Sequence, residues 1–402
     1  MSFECDVSLF DGFGPENVML LRDPTIKLSG FLVIDNSYYG TPAGGLRMAP
    51  DLNANEIIKL ARTESLRFSS FGIPMGGAKS GIIENTEVAS KPVLISRFGE
   101  LIKSILKDGD YYPQPGLGTL SEDTDKILRI TGKPEMLPKN LGIINTEESI
   151  KKCYTGESTF YCVELVYQTL NSFLSANNQV EWNSSPKIMI EGFGRVGSEI
   201  ARLIKSSPFT LTGISTLKGA IFKEEGLDID RLLKLRKTEG DDLVNQYEDK
   251  DLVNTEYDKL FDLTSDYETD FIIPGARPEA INQENINNIQ VQAIIPASSH
   301  PYQSEIMSTL EEKNILAFPD FISSAGDILE LSTRSRSNEQ AEISSFIRSE
   351  MKKKIKKIFE KAYKEKKITP YAYAKSFALK ELKTKLERRE KHSQGLHKVL
   401  KK

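Results

Sequence analysis

Six consecutive residues in the second half of the chain have the spacing of a dinucleotide-binding loop: Gly192, Phe193, Gly194, Arg195, Val196 and Gly197. An apolar strand pattern precedes them and apolar positions at helical spacing follow. Gly192 permits a tight turn, Gly194 lets the backbone approach a pyrophosphate, and Gly197 lets helix and strand pack closely. The helix N-terminus offers free N–H groups to the phosphates. The pattern predicts a dinucleotide site, and the alternative is a strand–helix turn without a ligand.

The strand after this loop bears on the choice between NAD and NADP. An acidic residue about twenty positions on normally binds the adenosine ribose of NAD. Here residues 213–218 read Gly-Ile-Ser-Thr-Leu-Lys, and no Asp or Glu occurs before Glu224. Thr216 and Lys218 would accept a 2′-phosphate, which favours NADP, although Lys218 can equally be a plain surface residue.

The supply of histidines and cysteines limits the chemistry. His300 is the only histidine outside the last eleven residues, so a multi-histidine metal site is not expected and we predict no metal. Proton transfer then falls to Lys, Asp, Glu, Tyr or water. The three cysteines are widely spaced and form no CxxC, which is typical of a reduced, cytoplasmic protein.

Composition and charge indicate a globular protein of two domains. The length of 402 residues suits two cores, no apolar run could span a bilayer, and the N-terminus does not read as a secretory signal. Residues 351–402 hold 19 Lys and Arg against 5 Glu. This basic tail could contact nucleic acid, but Ile355, Ile358, Phe359 and Ala362 favour an amphipathic helix whose lysines face water.

Strand and helix patterns alternate along the chain, which predicts an α/β fold with a mostly parallel sheet. In the first half we expect a strand at residues 31–34 and a helix that Asn53 caps. Glycine and proline predict a flexible turn at residues 40–45, a second glycine-rich turn within residues 71–83 and an irregular loop at residues 111–118.

The sequence resembles the Glu/Leu/Phe/Val dehydrogenase family in motifs that run in order over nearly the whole chain. The glycine-rich lysine segment is the most specific of them. The matching segments are residues 44–48 (Gly-Gly-Leu-Arg-Met), 73–82 (Ile-Pro-Met-Gly-Gly-Ala-Lys-Ser-Gly-Ile), 155–156, 192–197, 273–276, 318–320 with 324–326, and 369–374.

The resemblance implies a fold and an activity. Residues 1–150 would form a substrate and oligomerisation domain on which residues 335–402 pack back, and residues 151–334 a Rossmann-type NAD(P)-binding domain, with a cleft between the two. The implied reaction is the reversible oxidative deamination of an L-amino acid to a 2-oxo acid and ammonia. Family members are homo-oligomers, commonly hexamers.

The resemblance also implies site residues. Lys79 matches the catalytic lysine, since a lysine in a desolvated cleft can lose and regain a proton near neutral pH. The alternative is a lysine exposed on a turn. Arg67 stands where the family has a lysine that binds the substrate α-carboxylate, and arginine can bind a carboxylate through two parallel hydrogen bonds. Its alternative is a surface arginine. Gly45 and Gly116 would line the substrate site.

Further positions follow the family in the second domain. We expect cofactor contacts from Thr155, Gly275, Ala276, Ser299 and Ser324, the two serines standing where the family commonly has asparagines.

The largest departure is at Gly116, where the family has its catalytic Asp. Glu122 and Asp123 read as first-turn residues of a helix. Tyr111, Tyr112 or Asp110 could reach the site. His300 is either a solvent-exposed loop histidine or a candidate substitute acid.

Two hypotheses of function therefore stay open beside nucleic-acid binding by the tail. The first is an NAD(P)-dependent amino-acid dehydrogenase with an altered substrate. The second is a non-catalytic homologue that binds dinucleotide as a sensor or partner subunit.

Overall fold

The computed structural model describes residues 5–107, 111–133, 152–175, 184–334, 337, 339–366 and 368–400. The chain divides into two compact units, Met1–Ile144 with Lys375–Lys402, and Asn145–Ala374. Residues 335–374 thus belong to the second unit, whereas the sequence prediction grouped everything from residue 335 onward with the first.

The strands and the α-helices are numbered in chain order. The strands are β1 Asn17–Asp23, β2 Leu28–Ile34, β3 Thr41–Ala49, β4 Met75–Ile83, β5 Tyr112–Pro115, β6 Lys187–Glu191, β7 Thr210–Thr216, β8 Gly219–Phe222, β9 Val253–Thr255, β10 Phe271–Pro274, β11 Ala293–Ile294 and β12 Leu316–Ala317. The helices are α1 Ala54–Phe71, α2 Lys91–Leu101, α3 Lys103–Lys107, α4 Ser121–Ile130, α5 Tyr154–Ser175, α6 Arg195–Ile204, α7 Ile229–Glu239, α8 Leu243–Gln246, α9 Met307–Glu312, α10 Asp320–Ser323, α11 Gly326–Arg334, α12 Gln340–Phe359 and α13 Pro370–Leu400.

The first unit contains a five-stranded mixed sheet in the order β1-β2-β4-β3-β5. Helix α1 connects the parallel strands β3 and β4 and packs on the sheet. Asn53 caps it as predicted, because its side chain accepts the N–H of Glu56. The apolar face of α1, which includes Ile57 and Ala61, is fully buried. This helix and strand β4 carry the side chains of the candidate site.

Two predictions made from glycine and proline in this unit were wrong. The expected turn at residues 40–45 lies largely in strand β3, and the expected loop at residues 111–118 contains strand β5. Within residues 71–83 the structure has a glycine turn at Gly72, which ends helix α1, and strand β4 follows it. Strand β3 pairs with a neighbour on both sides. Tertiary hydrogen bonding therefore overrides the local preference of these residues for turns.

The second unit contains a seven-stranded sheet in the order β12-β11-β10-β6-β7-β8-β9. The five strands from β12 to β7 are parallel, which confirms the predicted α/β architecture, and β8 and β9 add antiparallel pairs that the sequence did not predict. Met189, Ile272 and Ile294 from three adjacent strands form the centre of one core cluster. The carboxyl ends of these parallel strands are where ligands bind in such sheets.

The C-terminal helices bury their apolar stripe. Ile355, Ile358, Phe359 and Ala362 are all at most 4% exposed, so the predicted amphipathic packing is confirmed. None of the helices in the described part of the chain combines the length and apolar character needed to cross a membrane.

Candidate functional site

Lys79 lies in the middle of strand β4, opposite Val33 of β2. Its Nζ donates a hydrogen bond to Glu64 Oε1 at 2.9 Å, and its side chain is 13% exposed. The alternative interpretation of Lys79 as a lysine exposed on a turn is therefore wrong. The strand fixes the lysine's backbone, and the ion pair orients its amine.

Glu64 of helix α1 is the centre of this site. Glu64 is 3% exposed, and its second carboxylate oxygen, Oε2, accepts a hydrogen bond from Arg67 Nη1 at 2.9 Å. Burial raises the pKa of Glu64, but the charges of Arg67 and Lys79 outweigh it and hold the pKa below that of a free glutamate. The carboxylate is therefore ionised between two cations.

Arg67 is 5% exposed, so the alternative of a surface arginine is wrong. It lies one helical turn after Glu64, which is why both side chains lie on the same side of α1.

Sequence reasoning missed Glu64, although a signal was present. Ile57, Ala61 and Glu64 share one helical face, since they are separated by four and three residues. An acid on the apolar face of a helix needs a buried partner.

Gly45 lies beside Lys79, and Gly116 lies next to Gly45. A Cβ on Gly45 would be 3.2 Å from Lys79 Nζ and 3.4 Å from Gly116 Cα. A Cβ on Gly116 would be 2.6 Å from the carbonyl oxygen of Leu46, a distance that requires something to shift. The structure thus brings Lys79 and Arg67 together on Glu64, with Gly45 beside the lysine amine and Gly116 next to Gly45. An acidic side chain at residue 116 would have to displace backbone.

The other acids considered from sequence have different surroundings. At the start of helix α4, the carboxylate of Asp123 accepts a hydrogen bond from the N–H of Leu120 and forms an ion pair with Lys91. These contacts give Asp123 a structural role. Tyr111 is fully buried and its hydroxyl contacts Ser80 Oγ at 2.8 Å. Burial raises the pKa of Tyr111 far above its ordinary value, so it stays protonated. Asp110 lies outside the described residues.

The glycine-rich loop of the second unit has the predicted strand–loop–helix context. Gly192 follows β6 with φ of +87°, and Gly194 is the N-cap of helix α6. A Cβ on Gly197 would be 2.2 Å from the carbonyl oxygen of Gly192, whereas one on Gly194 would meet nothing within 4 Å. The start of helix α6 at Gly197 therefore packs tightly against Gly192, whereas the backbone at Gly194 faces open space.

The remaining loop residues support this geometry. Phe193 is 1% exposed and its N–H donates to the carbonyl of Ser215. Arg195 donates to the carbonyl of Lys152, and Val196 is half-buried in the first turn of α6.

Gly275 and Ala276 follow strand β10 directly beside this loop. A Cβ built on Gly192 would be 2.9 Å from the Cβ of Ala276. The N–H of Ala276 lies 3.3 Å from Glu191 Oε2, and Arg277 Nε donates to Glu191 Oε1 at 2.8 Å. Burial raises the pKa of Glu191 in spite of Arg277. The loop thus rests on a fixed neighbouring strand end.

The end of strand β7 contains the residues considered for the adenosine ribose. Thr216 is buried, and its hydroxyl donates to the carbonyl of Asp241 at 2.7 Å. Lys218 is exposed and lines an open groove of about 610 Å³ formed by residues 217–219 and 254–258. Of the two predicted residues, Lys218 is therefore the one with a solvent-facing side chain.

The other predicted cofactor residues lie in the second unit, where Thr155 is in the first turn of α5 and Ser299 follows β11. Ser324 is buried and its hydroxyl donates to the carbonyl of Asp320. His300 has its ring Nε2 3.2 Å from Glu279 Oε1, and its backbone N–H donates to Asp320 Oδ2. Among the described residues no cluster of His, Cys, Asp and Glu could hold a metal ion.

The residues at the β6–α6 turn fit a dinucleotide. The open backbone at Gly194 leaves space for a phosphate group. The first N–H groups of helix α6 have no acceptors within the helix and can bind an anion.

Two sequence-family matches cover most of the chain. Residues 149–389 match the Glutamate/Leucine/Phenylalanine/Valine dehydrogenase family, and residues 16–127 match the Glu/Leu/Phe/Val dehydrogenase dimerisation domain. The chain belongs to this family of dehydrogenases. It is accordingly an oxidoreductase of the amino-acid dehydrogenase type that uses a nicotinamide dinucleotide.

Individual relatives in this family agree with the assignment. The chain is 25% identical over 306 residues to the NADP-specific glutamate dehydrogenase of Saccharolobus shibatae, covering 73% of this chain and 67% of that protein. It is 26% identical to the catabolic NAD-specific glutamate dehydrogenase of Bacillus subtilis, covering 78% and 73%. In fold it is similar to the hetero-hexameric glutamate dehydrogenase of Thermus thermophilus, with a TM-score of 0.75, 18% identity, and 93% and 90% of the two chains covered.

Proposed function

We propose that this dehydrogenase catalyses the reversible oxidative deamination of an L-amino acid to a 2-oxo acid and ammonia, with a substrate other than glutamate. The observation that carries the proposal is the buried cluster of Lys79, Glu64 and Arg67 beside Gly45, which leaves space at the lysine amine. Such a cluster can bind a carboxylate and exchange protons away from bulk water.

Each residue has a role in this proposal. Arg67 binds the substrate α-carboxylate, Gly45 leaves room for the substrate beside the amine, and Lys79 Nζ activates the attacking water. Gly116, next to Gly45, lines the same site. Lys79 also stabilises the negative charge that develops at the substrate oxygen. A nicotinamide dinucleotide held at the β6–α6 turn would supply the hydride acceptor for deamination.

The altered substrate follows from the departures at residues 67 and 116. An acid that moves protons contributes about 10²–10⁴-fold to a rate, and Gly116 has no group to do so. Arginine at residue 67 differs from a lysine in reach and geometry. These changes argue against fast turnover of the ordinary family substrate, glutamate.

Reductive amination by the purified protein tests the proposal. NADPH or NADH oxidation is followed against a panel of 2-oxo acids with and without ammonium. We expect ammonium-dependent turnover that falls by about 10²-fold or more in Lys79→Ala, because the general acid–base group is lost. Dinucleotide affinity should stay unchanged. Lys103→Ala, an exposed lysine of the same unit, serves as the control and should retain full activity.

A non-catalytic homologue that binds dinucleotide is the second candidate. The specific observation in its favour is the close approach of Gly116 to Leu46, which excludes an acid from that position. Saturable dinucleotide binding without turnover on any 2-oxo acid or amino acid would support it. Dinucleotide oxidation that does not need ammonium would instead indicate a different reduction.

The cofactor belongs to the same proposal, and we favour NADP. Lys218 is exposed at the end of β7, and no acid follows it before Glu224. Lys218→Ala should weaken NADPH binding about tenfold and leave NADH binding unchanged, since only NADPH carries the 2′-phosphate. Titration of each cofactor by calorimetry measures this. Equal losses for both cofactors would contradict the assignment.

We also propose that the chain forms homo-oligomers, including the hexamer. The support is the match of residues 16–127 to the family's dimerisation domain and the fold likeness to a hetero-hexameric relative. Light scattering on the purified protein measures the subunit number, and a monomer would contradict the proposal.

A further inference from the structure

Glu64 changes the charge that a substrate meets at this site. Arg67 and Lys79 each place one N–H donor 2.9 Å from a different oxygen of the same carboxylate. The pKa of Glu64 is lowered by these two cations, so the group is ionised. The cluster of two cations and one anion therefore has a net charge of +1 rather than +2.

The cluster is buried, so its charge acts strongly on a bound substrate. The side chains of Glu64, Arg67 and Lys79 are 4%, 6% and 13% exposed. Solvent screens buried charges weakly, so a second negative charge entering the site is repelled by Glu64 at short range. A single substrate carboxylate makes the cluster neutral, whereas a substrate with two carboxylates leaves an excess of negative charge.

Strand β3 lies next to Glu64 and carries residues with small side chains or none. Gly44 lies so close to Glu64 that a Cβ on it would be 3.3 Å from Glu64 Cγ. The preceding residue, Ala43, is fully buried and apolar. At Gly44, strand β3 thus places a residue without a side chain next to the acid.

We propose that Glu64 is a specificity-determining residue, which sets the site to accept substrates with one carboxylate and an uncharged side chain and to reject dicarboxylates. This inference rests on the proposed amino-acid dehydrogenase activity. Glu64 is the counter-ion of Arg67 and Lys79. It neutralises positive charge that a second substrate carboxylate would otherwise pair with.

Kinetics of the wild-type protein give the first test. We expect kcat/KM for 2-oxo acids with aliphatic or aromatic side chains to exceed that for 2-oxoglutarate by about tenfold or more, because like charges at close range are costly. A preference for 2-oxoglutarate would overturn the inference and the proposed substrate other than glutamate. It would leave the proposed reaction, ammonium-dependent reductive amination, standing.

The Glu64→Gln variant gives the second test, with Glu56→Gln as its matched control. Glu56 lies on the same helix and pairs with Arg47 at 2.9 Å. Glu64→Gln should raise kcat/KM for 2-oxoglutarate relative to the monocarboxylates by about tenfold, since the repelling charge is removed. The control should leave the ratio unchanged. An unchanged ratio in Glu64→Gln would also overturn the inference.

Binding without turnover separates the two proposals. Calorimetry with isobutyrate and glutarate, in the absence of cofactor, should show tighter binding of the monocarboxylate to the wild-type protein. That result with no turnover would support the charge selection and contradict the proposed reaction. Equal or tighter binding of glutarate would overturn the charge selection, including where Glu64→Gln does not fold.

Discussion

The acid that contacts Lys79 is Glu64 of helix α1. Its two carboxylate oxygens accept one hydrogen bond each from Lys79 and Arg67. The sequence predicted the acid position of the family at residue 116, which is glycine, and a Cβ there would be 2.6 Å from the carbonyl oxygen of Leu46 on strand β3. The buried acid beside the lysine therefore comes from the helix.

Restoring the family residue at position 116 should not restore a proton-transfer group. A Cβ there would be 2.6 Å from the Leu46 carbonyl oxygen, so Gly116→Asp must displace backbone. We expect about 1–3 kcal/mol of lost stability from overpacking and no gain in turnover. Urea unfolding and steady-state kinetics measure the two effects.

Gly116→Ala is the matched control for the Asp variant, because it adds the Cβ without the carboxylate. It should lose similar stability. If Gly116→Asp were as stable as the wild type and faster, the interpretation of a closed backbone at this residue would be wrong.

At the scale of elements, glycine has two different roles in the β6–α6 turn: close packing at one position and open space at another. Gly197 lets the helix pack on the strand, because a Cβ would be 2.2 Å from the Gly192 carbonyl oxygen. Gly194 has no protein neighbour within 4 Å of a built Cβ. Gly197 is therefore needed for packing, and Gly194 leaves space for a ligand.

Alanine at each of these positions should give different results. Gly197→Ala should lower both stability and dinucleotide affinity, since the turn itself must shift. Gly194→Ala should keep the stability within about 0.5–1 kcal/mol of the wild type, because alanine does not crowd the protein there. It should nevertheless weaken dinucleotide binding, because the methyl group occupies the space of the phosphate.

Thermal unfolding with and without dinucleotide separates the two effects. A Gly194→Ala variant with full affinity would contradict a phosphate position above Gly194.

At the scale of the whole molecule, most of the last helix, α13, belongs to the unit formed by the N-terminal residues. Residues 375–402 belong to the same compact unit as the N-terminal sheet. Arg389 Nη1 donates to Ser37 Oγ at 2.9 Å, and Lys385 Nζ lies 5.3 Å from the centre of the Tyr39 ring. The basic tail thus includes residues that complete the first unit.

Leu382→Ala should destabilise the protein by about 2–5 kcal/mol, as expected for truncating a fully buried leucine. Lys383→Ala, the exposed neighbour, should change stability by about 0.5 kcal/mol or less. Denaturant unfolding of both variants measures this. Equal effects of the two would show that helix α13 does not depend on its apolar face for packing.

The sequence by itself determined the family, the α/β architecture and the strand–glycine loop–helix unit at residues 187–204. These features depend on local spacing: a strand that runs into glycines and a helix, or apolar residues at helical intervals. Asn53 as a cap and the buried stripe from Ile355 to Ala362 were predictable for the same reason.

Only the tertiary structure showed that residues 41–49 and 112–115 are strands, because their hydrogen-bond partners are distant in sequence. The same holds for Glu64: its ionised state and its role as counter-ion depend on Lys79, fifteen residues away on another element. The chain pattern places an acid on a buried face, but only packing decides which cations neutralise it.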